Sequence, residues 1–453
     1  MTTQERPTST GHGGPTFQEL LDRETRPVPE VLRRSESADL GTADIGLDRY
    51  VSREWHRREV GSVWKRVWQM ACREEDIPGV GDTALYDVAD ISLIVVRTGD
   101  GPGGIRAYHN SCLHRGRPLR TEPGTVRRLR CPFHGFTWRL DGSLESVPTP
   151  WDFEHLDRSQ ACLPQAHVDT WAGWVFVNVS DDPPPLHEHL GGIVEHWREW
   201  ESVPRVKTLH IVKPLPCNWK LALEAFLESF HTTATHPQLL ASLDEVNTEY
   251  DVYSGEPHFN RMISAQGVTS PHLEAELEED EILGALVGDG VGLDGVETAR
   301  RRVADLVRGE LSRQAGQAIE CTDSEAIDGI QYFVFPNFVP WGGYAPLAYR
   351  FLPDGDDPGR STMELMVFSP RPAGGVAERV EPVHLGEDEP FTGVRGLRRS
   401  LAAILDQDMS NLAVIQRGVR SSRKGAMTLA GYQESRIRHF HTTLDTYLRE
   451  PPT

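Results

Sequence analysis

The chain lacks any apolar run long enough to cross a bilayer. Its longest, ISLIVV (91–96) and WVFV (174–177), match buried strands, whereas a spanning helix needs about 20 apolar residues. The first sixteen residues, MTTQERPTSTGHGGPT, hold no apolar signal core, and the twin arginine Arg33-Arg34 has no hydrophobic stretch behind it. The cytoplasm is therefore the expected location. Cysteine is scarce: six in 453 residues exclude a disulfide scaffold. Positive charge is also in deficit, with Lys+Arg 47 against Asp+Glu 67 and a net charge of −20. Such a chain repels nucleic acid and anionic membranes, so neither is an expected partner. A basic electron-transfer protein would tolerate it. No internal repeat is present.

A length of 453 residues exceeds one ordinary core and implies two domains. Residues 1–46 read as a polar tail with a short helix around Phe17 to Arg23. From about Arg53 to Gln69 the pattern is helical, with Trp55, Trp64 and Trp68 as anchors. Between Ala84 and Val179, short β-rich runs alternate with Gly, Pro and Asp turns, which predicts an all-β domain over 47–185; LDGSL (140–144) is its clearest hairpin turn. The prolines of SDDPPPLHEH (180–189) mark a boundary. Residues 186–453 mix helices with apolar strands such as QYFVFPNF, LAYRFLP and TMELMVFSP. The expected fold class is α+β, with a charged helical insertion at about 274–329.

What is present is a cluster of chemistry. NSCLHRGRPLRTEPGTVRRLRCPFHGFTW (110–138) holds Cys112 and His114 with one residue between them, then Cys131 and His134 with two between. Structural zinc takes Cys/His sets, but its pairs normally have two to four residues between them. A [2Fe–2S] cluster with two thiolates on one iron and two imidazoles on the other needs this mixture. Gly116 and Gly135 let both loops turn tightly, and Pro132 stiffens the second. CLHRG and CPFHG, with sixteen residues between His114 and Cys131, resemble the two loops of the Rieske family. The resemblance implies that Cys112, His114, Cys131 and His134 hold a [2Fe–2S] cluster. Arg117 and Phe133 stand where the respiratory branch carries an extra disulfide, so the ferredoxin and oxygenase branch is indicated. A zinc-stapled scaffold is the alternative.

A second constellation lies in NWKLALEAFLESFHTTATH (218–236). On a helical wheel of about 100° per residue, Leu223, Phe226, Leu227 and Phe230 share one side, expected in the core. Glu224, Glu228 and His231 share another, which by itself suits a solvated face. His236 follows His231 by five residues and would point about 140° away on a continuous helix. Pro237 disfavours helix at His236, and TTAT is a weak helix former, so a break between the two histidines is expected. In LAAILDQDMSNLAVIQRG (401–418), Leu401, Ile404, Leu405, Leu412 and Ile415 form an apolar stripe. Asp408 falls inside it and Asp406 opposite. A carboxylate on a buried face requires a partner or a metal. Two histidines and one carboxylate with open positions make the facial triad of non-heme Fe(II) oxygenases.

With both halves in place, the chain from about Tyr50 resembles the terminal oxygenase (α) component of Rieske non-heme iron oxygenases. The resemblance implies a Rieske domain followed by a helix-grip catalytic domain, with mononuclear Fe(II) on His231, His236 and Asp408. It implies a homotrimer, with or without a β subunit, in which Glu228 bridges His231 to His134 of the adjacent chain. Asn218 is a possible polar neighbour of the iron. Electrons would come indirectly from NAD(P)H through a reductase and possibly a ferredoxin. O2 would then hydroxylate, dihydroxylate or demethylate a small substrate, expected to be aromatic or polycyclic, with a small cationic amine second. The alternative of another class is a non-catalytic Rieske electron carrier.

Several features read plainly. GVGLDG (290–295) matches a nucleotide loop formally but follows no strand. His187 to His189 and His196, among prolines and polar residues, are expected at the surface. Cys72, Cys162, Cys217 and Cys321 lack paired spacing and are expected to be packed or idle. ELEEDE (276–281) reads as a solvated acidic face. Trp341 and Tyr344 suit either a pocket wall or the core.

Overall fold

A computed structural model describes residues 13–372 and 377–449. The N-terminal half is built on a seven-stranded antiparallel sheet. Its order is Gln69–Arg73, Trp174–Asn178, Gln165–Trp171, Ile105–His109, Ile91–Arg97, Asp82–Val88 and Gly124–Thr125. A small sheet of Leu129–Arg130, Thr137–Trp138 and Leu144–Ser146 sits beside it. The turn before Leu144 is tight: the Arg139 and Gly142 backbones close it, and Gly142 adopts φ 84°. A Cβ there would lie 2.6 Å from the Tyr108 ring, so only glycine fits.

The C-terminal half carries an eight-stranded sheet. Its order is Leu243–Asp251, Phe259–Gln266, Gly329–Val334, Phe338–Pro340, Leu347–Pro353, Ser361–Pro370, Arg205–Leu215 and Val383–His384. Only the last pairing is parallel. The helices Arg399–Ser421 and Ser435–Arg449 lay Leu405, Leu412, Phe440 and Leu444 onto this sheet. Between Phe259–Gln266 and Gly329–Val334 the chain forms the helices Glu279–Val287, Ala299–Ala315 and Asp323–Ile327. This is an α+β architecture, as the alternation of elements implies. Among the described residues no helix is long and apolar enough to cross a membrane.

One apolar core joins the halves. Val95 and Val175 of the first sheet share it with Leu223, Tyr349 and Leu405 of the second unit, and Trp64 meets Trp219 edge-on at 5.1 Å. Beneath them Lys220 Nζ and Glu59 Oε1 form a fully buried ion pair at 2.6 Å. Arg350, on Leu347–Pro353, donates to the carbonyls of Met70 and Ala71 at 2.7 Å each and to Glu364 at 2.6 Å. The second sheet is thus tied to the edge strand of the first.

The structure corrects some expectations. The helix from Arg53 ends in a π turn, Val60–Trp64, and Gln69 already begins a strand. His189 and His196 are buried, bonded to the Phe335 carbonyl at 3.0 Å and to Tyr332 Oη at 3.2 Å. They serve the seam between the helices Leu186–Leu190 and Ile193–Trp197 and the second sheet. Cys72, Cys217 and Cys321 are packed, and Cys162 is exposed.

Candidate metal centres

The two Cys/His loops are built alike. The Cys112 N–H donates to the Arg117 carbonyl (2.9 Å) and the Gly116 N–H to the Cys112 carbonyl (2.8 Å). The Cys131 N–H donates to Phe136 (2.8 Å) and the Gly135 N–H to Cys131 (3.0 Å). Both glycines are left-handed, at φ 75° and 80°, which an L side chain resists. Each cysteine therefore starts the same turn, and the histidine sits two residues on in one loop and three in the other.

The two sulfurs are in contact and buried. Backbone N–H groups of His114 and Arg115 face the Cys112 sulfur, and those of Phe133 and His134 face that of Cys131. Burial pushes the Cys112 thiol up; at Cys131 the N–H groups outweigh burial and hold the thiol down. The rings of His114 and His134 are 4.7 Å apart. Nδ1 of His114 is buried with no hydrogen-bond partner, a cost that a bound metal would remove. His134 is exposed beside the exposed Phe133. Two thiolates with surrounding N–H donors, facing two imidazoles, fit the mixed ligation of a Rieske cluster.

The second centre forms where a helix stops. Asn218 caps Trp219–Glu224, its Oδ1 accepting from the Lys220 N–H at 3.0 Å. Its amide donates to the Pro358 carbonyl at 2.7 Å and its backbone N–H to Gln416 at 2.7 Å. The polar neighbour expected there is thus committed to a helix cap. The helix ends at Glu224, so the wheel does not extend to Phe230, which is exposed. Glu224 turns away to Tyr50 Oη and His441 Nε2, both at 2.9 Å. One further helical turn, Thr232–Thr235, follows His231. The expected break falls after that turn, at His236 (φ −126°, ψ 52°), ahead of Pro237.

Asp408 lies on the buried side of Arg399–Ser421, in line with Ala402, Leu405, Leu412, Gln416 and Val419. Ile415, expected in that stripe, is exposed, because the buried line runs through Gln416 instead. The carboxylate meets both histidines: Asp408 Oδ1 is 2.9 Å from His236 Nε2 and 3.4 Å from His231 Nε2. One ligand atom from each of His231, His236 and Asp408 lies within 4.8 Å of the others.

Each imidazole is held from behind. Glu228 Oε1 is 2.6 Å from His231 Nδ1, and Oε2 accepts the His231 backbone N–H at 2.9 Å. Gln407 Oε1 is 2.8 Å from His236 Nδ1 and also accepts from Gln238 Nε2 at 2.7 Å. Acceptors at both Nδ1 atoms hold a proton there, and a bound metal would take the Nε2 lone pair of each ring beside Asp408. The sequence reading missed Gln407, although it adjoins Asp408. Burial lowers the His231 pKa, but Asp408 and Glu228 outweigh it and hold the imidazole up to about 10. Burial favours a neutral Asp408; the two histidines overcome this and keep it ionised. Such a donor set is poised for a divalent cation, and two imidazoles with one carboxylate leave positions open. Phe226 packs on Tyr349 at 4.9 Å, and Trp341 meets Tyr349 edge-on at 6.1 Å. The Tyr349 phenol is pushed up by burial and then by the Asp408 charge, so this aromatic cluster lies within electrostatic reach of the carboxylate.

These features make two candidate metal centres in one chain, and comparison with known proteins agrees. Residues 67–157 match the family model for a Rieske [2Fe-2S] domain, and residues 195–450 match that for the ring hydroxylating alpha subunit catalytic domain. The chain belongs to the family of Rieske ring-hydroxylating oxygenase alpha subunits, which favours a cluster over structural zinc at the paired loops. Among its relatives is the glycine betaine monooxygenase oxygenase subunit of Chromohalobacter salexigens. It is 29% identical over 263 residues, covering 56% of this chain and 58% of that one. The chlorobenzene dioxygenase subunit alpha of Cupriavidus sp. is 31% identical over 209 residues, covering 43% and 45%. The chain thus spans about half the length of the curated relatives it matches. Two solved structures share the fold. The quaternary ammonium Rieske monooxygenase CntA with L-carnitine has a TM-score of 0.62 at 16% identity, over 90% of this chain and 96% of that one. Naphthalene 1,2-dioxygenase with indole has a TM-score of 0.62 at 17% identity, over 91% and 93%.

Proposed function

We propose that the chain is the terminal oxygenase of a multicomponent Rieske system. Cys112, His114, Cys131 and His134 would hold the [2Fe–2S] cluster, and His231, His236 and Asp408 the mononuclear iron. The observation that carries this reading is the convergence of three ligand atoms within 4.8 Å, with both imidazoles tethered at Nδ1. Bound there, the iron would supply O2 activation, using electrons drawn from NAD(P)H through a reductase and, where present, a ferredoxin.

The residues of the chain do the rest. Glu228 fixes the tautomer and direction of His231, and Gln407 those of His236. In a homotrimer Glu228 would also join His231 to His134 of the neighbouring subunit. The exposure of Phe133, His134 and Phe230 in the single chain supports a contact of that kind. The rings of Phe226, Tyr349 and Trp341 would exclude water and shape the substrate site.

For substrate, the sequence points first to an aromatic or polycyclic compound, and the chlorobenzene dioxygenase relative is in keeping with that. A small quaternary amine is favoured by two observations together. They are the relatives named for glycine betaine and carnitine, and an aromatic wall able to stabilise a cation.

Metal analysis and a substrate panel test the proposal. The loaded protein should be red-brown and contain one iron beyond the two of the cluster. His231→Ala should lose that iron and keep the colour. A wild type with cluster iron only would exclude catalysis. O2 uptake with a surrogate reductase should respond to quaternary amines more than to naphthalene or biphenyl.

A further inference from the structure

A cavity of ≈ 540 Å³ opens at the seam between the two halves. Its walls include the indoles of Trp174, Trp197, Trp200 and Trp341. Its size suits a small ligand, and flat apolar walls suit a ring. The charges around it are unequally committed. Arg73 is used up, bonded to Glu75 and to the carbonyls of Ala172 and Arg205. Glu74 is turned to Arg97. Arg205 is different. It lies 5.3 Å from the Trp197 ring and donates from one nitrogen only, to the Trp341 and Ala345 carbonyls at 3.5 and 3.2 Å. No carboxylate among the described residues pairs with it. Burial, with Arg73 nearby, draws its pKa down to about 10, the mark of a cation short of a counter-charge.

We propose that this cavity is a second ligand site, taking a small aromatic carboxylate whose carboxyl group pairs with Arg205 and whose ring lies among the indoles. A guanidinium with free parallel donors matches a carboxylate in bidentate fashion. A monoanion suits the remaining lining, where Arg371 and Glu201 carry opposite charges. None of His231, His236 and Asp408 lines this cavity, and two rings link it to them: Trp341 lines it and meets Tyr349, which feels the charge of Asp408.

Benzoate and its neutral isostere benzamide distinguish the outcomes, titrated into the iron-loaded full chain by calorimetry and tryptophan fluorescence. Benzoate should bind saturably and at least about tenfold tighter than benzamide, as expected for one charge-assisted pair. Arg205→Met should abolish that preference and Arg205→Lys should keep part of it. Asp408→Ala, which removes the iron site, should leave benzoate binding unchanged. Equal affinity for the two compounds, no saturation, or loss of binding in Asp408→Ala would each overturn the proposal. If Arg205→Met does not fold by circular dichroism, the wild-type comparison and Arg205→Lys decide.

Discussion

The amide oxygen of Gln407 lies 2.8 Å from Nδ1 of His236, and the next residue in the chain, Asp408, lies 2.9 Å from Nε2 of the same ring. One turn of one helix thus holds both sides of an imidazole. An amide oxygen can only accept, so His236 carries a proton on Nδ1, and a bound metal would take the lone pair of Nε2. Gln407→Leu removes the acceptor and frees the ring. Affinity for the mononuclear metal should fall about 10- to 100-fold, read by Co(II) titration of the iron-depleted site. Gln407→Glu, which keeps an acceptor oxygen, should retain the metal, and the cluster absorbance should be unchanged in both. Unaltered affinity in Gln407→Leu would remove this role.

Glu228 acts on His231 differently, because its two oxygens accept from both the ring and the backbone of that residue. In Glu228→Gln one of those donors must face an N–H2 group. The ring should still bind iron, so metal content should stay near wild type. If Glu228 also links neighbouring subunits, electron delivery should suffer. Product formation should drop by about 10- to 100-fold while cluster reduction by dithionite is unaffected. Loss of iron instead would reduce Glu228 to a support for His231.

The candidate ligand residues were legible because their spacing is local chemistry. Cys112/His114 and Cys131/His134 lie in short loops that need no tertiary knowledge, and Asp408 betrayed itself as an acid on an apolar stripe. Longer extrapolation failed. The wheel drawn from Asn218 assumed one helix, but the helix ends at Glu224, so Phe230 was misplaced. A stripe followed for several turns put Ile415 where Gln416 lies, since nothing in the sequence says that Gln416 bonds to Asn218. Asn218 itself carried a readable signal, as an N-cap residue directly before a helix. Gln238 and Gln407, amides adjoining the ligand segments, were the available clue to the support of His236. The burial of His189 and His196 depends on the sheet packed over them, which no local pattern encodes.

Arg350 and Glu364 should matter for stability more than for chemistry. Their ion pair spans 2.6 Å, both side chains are buried, and Arg350 also reaches Met70 and Ala71 in the other half of the molecule. Glu364 is held far below the usual carboxylate range by Arg350 and His210, against the effect of burial. Glu364→Gln leaves a buried guanidinium without its counter-charge, which costs about 3–5 kcal/mol. Denaturant unfolding should show the loss. The double variant Arg350→Met/Glu364→Leu should recover much of it, because a matched apolar pair removes both charges.

Acid should unfold this protein earlier than its carboxylates alone require, and four histidines explain why. Burial lowers the pKa of His189 and His196 to about 3 and of His258 and His439 to about 4. Each is neutral in the folded state throughout the range in which an unfolded imidazole, near 6.5, takes up a proton. Between about pH 6.5 and 4 the unfolded chain therefore binds more protons than the folded one, and stability falls as pH falls. The slope is on the order of 1 kcal/mol per pH unit for each imidazole. None of the four belongs to the proposed ligand sets, so the effect should persist in His231→Ala, which lacks the mononuclear iron. Urea midpoints at pH 7.5 and 5.5 should differ clearly in both proteins. His196→Gln removes one titrating ring at a site bonded to Tyr332, and its midpoint should shift less between the two pH values than that of the wild type. An equal shift would mean that the acid sensitivity arises elsewhere.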